Sequence, residues 1–152
     1  MRLPIAEGAL IALAISTNPT LAGSHTILQP GVYEVQVRLD LPNLDDMTAV
    51  KIAEICISAG NAQENPGLTV LSDNNPLAKC PRSNLRSDGN ELSFDIQCPG
   101  GNAARASARY TIGDASFTGR IKMTMGGKNM TMTETQLGRR VGICAANAPQ
   151  PK

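Results

Sequence analysis

Three glycine-bearing turns, each set between stretches of alternating polarity, govern the second half of this chain: "SDGN" at 87–90, "IGDA" at 112–115 and "GGKN" at 126–129. Asp-Gly and Gly-first dipeptides supply the positive φ that tight hairpin turns need. A strand has a side-chain period of two, so each turn also decides which residues share a face. The pattern predicts three consecutive hairpins. Folding about Gly89 sets Cys80 opposite Cys98. In the second hairpin, Ala104–Thr111 against Ser116–Met125, Tyr110 is expected to face Phe117 and Ala106 to face Ile121. In the third, with Gly127-Lys128 central, Met125 faces Met130 and Met123 faces Met132. Upstream, "VYEVQVRL" from Val32 to Leu39 alternates as a half-buried strand, and Val50–Ile57 reads as a second, ending at Cys56. Ser58–Ala78 is rich in Gly, Asn, Asp and Pro and reads mostly as connection, with room for one helical turn.

The expected fold is all-β: an antiparallel meander of about seven strands curled into a sandwich or half-barrel. Aromatics are 3% of the chain, two Tyr, two Phe and no Trp, so the core must draw on Val, Ile, Leu, Ala and Met. The predicted apolar face carries Ala104, Ala106, Ala108, Tyr110, Phe117 and Ile121, with the four methionines in the same register. The opposite face carries Arg105, Arg109, Arg120 and Lys122, a basic stripe that reads as a solvated surface. Glu134 falls on the apolar face beside Met132. It is expected either to turn outward on a bulge or to sit at the cluster's rim.

The N-terminus reads as an export signal over 1–22. Arg2 precedes the apolar run "GALIALAI" at 8–15, and "TLA" at 20–22 is a small-x-small cleavage site. A flexible start over 23–29, a β domain over 30–144 and a disordered tail over 145–152 complete the expected organisation. The four cysteines, Cys56, Cys80, Cys98 and Cys144, follow the signal and lack C-x-x-C spacing. In an exported chain they read as two disulfides rather than a metal site or a redox pair. Hairpin register pairs Cys80 with Cys98, which leaves Cys56 for Cys144.

"PGVYEVQV" after an export signal, the Cys-to-Cys hairpin, "YTIGDASFTGRIKMTM" and the closing "MTMTETQLGRRVGIC" together resemble DUF3617, an exported bacterial family of unknown function. The corresponding positions are Pro30-Gly31, Cys56, Tyr110–Gly119, Met123–Met132 and Gly138–Cys144. One departure is visible: the family usually has Trp or Tyr right after Pro-Gly, and here Val32 either intervenes or replaces it. The resemblance implies a small, periplasmic, disulfide-bonded β domain and brings no catalytic residues.

Function classes narrow accordingly. A net charge of +1 gives no overall pull toward nucleic acid. The one histidine, His25, lies before the domain, so no Ser-His-Asp or Cys-His set can be assembled on it. Asp45-Asp46 sits in a loop without an apolar wall to raise a pKa. The chain reads as a non-enzymatic periplasmic binding or accessory protein with no membrane span after signal cleavage and no required cofactor. Its partner is expected to be an apolar ligand or a periplasmic protein on the Ala/Met face. The alternative is a Cu(I) or Ag(I) binder using Met123, Met125, Met130 and Met132, since thioether sulfur suits soft ions. His25 adds to it if cleavage after Ala22 leaves Gly23-Ser24-His25 at the start.

Overall fold

The computed structural model describes residues 28–42, 49–58, 67–101, 103–126 and 130–145. The export signal over 1–22, His25, the Gly127-Lys128 turn, Asp45-Asp46 and the tail from 146 lie outside the described residues. Seven antiparallel strands form one open sheet: β1 (Gly31–Asp40), β2 (Ala49–Ile57), β3 (Arg82–Asp88), β4 (Glu91–Gln97), β5 (Arg105–Ile112), β6 (Ser116–Met125) and β7 (Met130–Gly142). The order across the sheet is β2-β1-β7-β6-β5-β4-β3. From β3 to β7 the strands follow one another as the turns predict. The simple meander breaks earlier, because after β2 the chain crosses to the far edge and β1 pairs with β7. The alternation in β1 explains this placement. Tyr33, Val35 and Val37 are all buried, and a strand with so apolar a face gains more inside the sheet than at its edge.

Both expected disulfides are present. Cys80–Cys98 closes the β3–β4 end, and Cys56–Cys144 reaches past the start of β1 to join β2 to the end of β7. Their sequence separations are 18 and 88, for which the chain-entropy argument gives about 3 and about 4–5 kcal/mol.

The β5–β6 register differs from expectation by two residues. Tyr110 pairs with Gly119 rather than Phe117, Ala108 with Ile121, and Ala106 with Met123. The face of every residue is unchanged, because a shift of two preserves parity. The reason lies in the glycines. The Tyr110 ring lies against Gly119 and the Phe117 ring against Gly138, so close that a Cβ on either glycine would overlap the ring. Pairing a ring with a bare backbone lets the aromatics lie flat on the sheet. All four then form one continuous run: Tyr33–Phe117, Phe117–Tyr110 and Tyr110–Phe94, each at 5.8 Å between centroids. In the third hairpin Met123 pairs with Met132 and Met125 with Met130, as expected.

One face of the sheet is covered by the chain itself. The segment 67–80 lies on it, with Leu68, Val70 and Leu77 buried, and Leu28 is buried with them. The stretch read as connection therefore supplies the layer that a second sheet supplies in a sandwich. It holds one short 3-10 turn, Pro76–Lys79, capped by Asn75, whose Oδ1 accepts from the Leu77 N–H at 3.1 Å. Besides the burial of Leu28, the Gln29 carbonyl accepts from the Tyr33 hydroxyl at 2.8 Å.

Replacing Gly119 or Gly138 by Ala is expected to lower stability by about 1–3 kcal/mol through overpacking. Gly101→Ala, where an added Cβ meets nothing within 4 Å, should leave it unchanged. Urea unfolding of the three variants checks this.

Candidate functional site

Segment 67–80 is not a strand of the sheet, so its backbone groups have no ladder to join. Buried N–H and C=O groups still require partners. Side chains of the sheet provide them. The Glu134 carboxylate accepts from the Leu71 N–H at 2.8 Å and the Ser72 N–H at 3.0 Å. Gln136 Nε2 donates to the Thr69 carbonyl at 2.7 Å and to Glu134 Oε1 at 2.6 Å. Arg82 Nη1 donates to the Leu68 carbonyl at 3.2 Å while its guanidinium lies 5.4 Å from the Phe94 ring centre. The Tyr110 hydroxyl donates to Gln136 Oε1 at 3.2 Å, closing the network.

Glu134 therefore does neither of the two things expected of it. The β6–β7 register runs through it without a bulge, and it is fully buried. Its parity with Gln136 is the signal that identifies it: two polar residues at core positions of one strand demand a polar object above them. Burial drives the Tyr110 hydroxyl far above its ordinary range. The Glu134 carboxylate acts in the same direction, and Arg82 opposes it. That hydroxyl stays protonated and available as the donor to Gln136. Tyr33 is also raised by burial, with Arg140 acting against the rise.

The expected apolar-face residues, Ala104, Ala106, Ala108, Tyr110, Phe117 and Ile121, are all buried in this one core. The alanines lie beside the large side chains, Ala106 against Met123 and Ala108 against Ile121. Leu68, Val70 and Leu77 of the cover are buried in the same core. The methionines fall in a gradient along the same face. Met123 is buried and its sulfur accepts from Asn75 Nδ2 at 3.2 Å. Met125 and Met132 are half-buried against the core, and Met130 is exposed. Three sulfurs thus remain toward the open end of the sheet. Among the described residues no three His, Cys, Asp or Glu side chains gather into a metal-holding group.

The open face is built from the alternate residues. It holds Arg105, Arg109, Arg120 and Lys122, all exposed. Toward β1, β2 and β7 it also holds Val50, Ile52 and Leu137, each about half exposed. A shallow cleft there is lined by Glu34, Gln36, Ile52, Leu137, Gly138 and Arg139.

Architecture and site together define a single-sheet β domain, stapled by two disulfides and roofed by its own loop. The chain belongs to the DUF3617 family, described as a protein of unknown function, whose match spans residues 28–144. No curated protein and no solved structure matches it significantly. Among the described residues no helix is long and apolar enough to cross a membrane.

Glu134→Gln places an amide N–H₂ where carboxylate oxygens accept three N–H groups. It is expected to cost about 1–3 kcal/mol and to speed hydrogen exchange at Leu71 and Ser72 ahead of the β5 and β6 amides. Equal acceleration throughout would show that Glu134 does not hold the cover in particular.

Proposed function

We propose that this protein is an exported, non-enzymatic binding or accessory protein of the periplasm that meets its partner on its outer surface rather than inside its fold. One observation carries the reading. The face that would receive an apolar ligand is filled by residues 67–80, with Leu68, Val70 and Leu77 fully buried there. A ligand on Ala106, Ala108, Tyr110 and Phe117 has to displace that cover and strip the partners from Glu134 and Gln136. Two disulfides support the export half of the reading, because such bonds persist in oxidising compartments. The test is a titration of the purified protein with a fluorescent fatty acid. No saturable uptake is expected. Stoichiometric uptake accompanied by faster exchange at 67–72 would move the binding site to the inner face.

A second reading rests on the cross-strand pairs Met123–Met132 and Met125–Met130. With the Met123 sulfur engaged by Asn75, Met125, Met130 and Met132 supply a three-thioether set suited to Cu(I) or Ag(I). Competition against a Cu(I) chelator decides it. A dissociation constant weaker than micromolar discards the site. Tighter binding that is lost in the triple Met→Leu variant establishes it.

A further inference from the structure

Overall charge is nearly balanced at +1, yet the open face of β5 and β6 is of one sign. Its side chains are Arg105, Ser107, Arg109 and Thr111 on β5, facing Ser116, Thr118, Arg120, Lys122 and Thr124 on β6. There is no carboxylate among them; the flanking β4 sets Asp95 opposite Ser107 and Glu91 opposite Thr111 on the same face. Arg109 and Arg120 are direct cross-strand partners, an arrangement that is unfavourable in isolation because like charges sit opposite each other. The register continues the row across the sheet. Arg86 lies beyond Ser93 on one side, and Arg38 lies beyond Thr135 on the other. At a strand spacing of about 4.8 Å, the row from Arg86 to Arg38 spans roughly 24 Å. The ion pairs among the described residues are Arg38–Asp40, Lys51–Asp73 and Arg139–Glu34. None of them involves Arg105, Arg109, Arg120 or Lys122.

Two further observations say what such a face fits. First, all four aromatic rings lie on the covered side. The open face therefore has no stacking platform for bases or sugar rings, and recognition there rests on charge and on the hydroxyls of Ser107, Thr118 and Thr135. Second, exposed aliphatic side chains adjoin the cations on the same face. Val50 is the cross-strand partner of Arg38, while Ile52 and Leu137 flank Gln36 from either side. They are 56%, 59% and 49% exposed. A soluble polyanion has no use for them. A bilayer surface uses both, with phosphates for the cations and the headgroup boundary for the aliphatic groups.

We propose that this face docks on an anionic lipid bilayer, with Arg105, Arg109, Arg120 and Lys122 against lipid phosphates and Val50, Ile52 and Leu137 at the acyl boundary. The proposal rests on the outer-surface reading above. The fatty-acid titration probes the covered face and the assay below probes the open one, so each can fail alone.

The test is co-sedimentation of the oxidised protein with vesicles of phosphatidylglycerol and phosphatidylcholine, and with vesicles of phosphatidylcholine alone. Binding is expected only to the anionic vesicles, and it should weaken as salt rises. Arg109→Gln with Arg120→Gln should lower partitioning about thirtyfold, near fivefold per charge. It should leave the disulfides and urea midpoint intact, since the change relieves a like-charge pair. Ile52→Ser with Leu137→Ser should also weaken binding while the salt dependence is retained. Equal binding to neutral vesicles, or unchanged binding by the arginine variant, overturns the proposal. Competition by soluble polyphosphate together with indifference to the Ile52/Leu137 change also overturns it, in favour of a soluble polyanion.

Discussion

A single antiparallel sheet cannot bury its own apolar face; something must lie on it. Here that object is a loop, and loops bring backbone polar groups that water can no longer reach. The contact between segment 67–72 and the side chains of Glu134, Gln136 and Arg82 meets that requirement. Four demands of the loop backbone, at Leu68, Thr69, Leu71 and Ser72, are answered from the sheet. Without these partners the cover would carry unpaired N–H and C=O groups into a dry interior. The aliphatic contacts of Leu68, Val70 and Leu77 would then have to offset that cost.

With the cover latched, the inner face is closed into one core. The aromatic run, the alanines and the buried Met123 all contribute to one core. The disulfides hold the two margins of the arrangement. Cys80 is the last residue of the cover and anchors its end to Cys98, while Cys56–Cys144 secures β2 and β7 around the start of β1. Surface chemistry is left to the alternate residues.

Strand parity was legible from the residues alone. So were the Met123–Met132 and Met125–Met130 pairs, the hairpin that joins Cys80 to Cys98, and the face occupied by the basic stripe. These depend on turns a few residues long, and local sequence determines local turns. The β5–β6 register was missed by two residues because Ile112 extends the strand past the turn assumed for it. The choice was made by Tyr110 over Gly119 and Phe117 over Gly138, contacts between strands that no single hairpin contains.

Residues 67–71, "GLTVL", look like a short apolar interruption in a polar connection. Glu134 and Gln136 look like misplaced polar residues on an apolar face. Each is ambiguous by itself, and they explain each other only when brought together across more than sixty residues of chain. The strands, their faces and the cysteine partners can be read from the residues, because alternation and turn chemistry act over short distances. That the loop roofs the sheet, that Glu134 is buried and that β1 joins β7 emerges only from the packed fold. Those outcomes depend on which distant groups satisfy one another's hydrogen bonds and apolar surface.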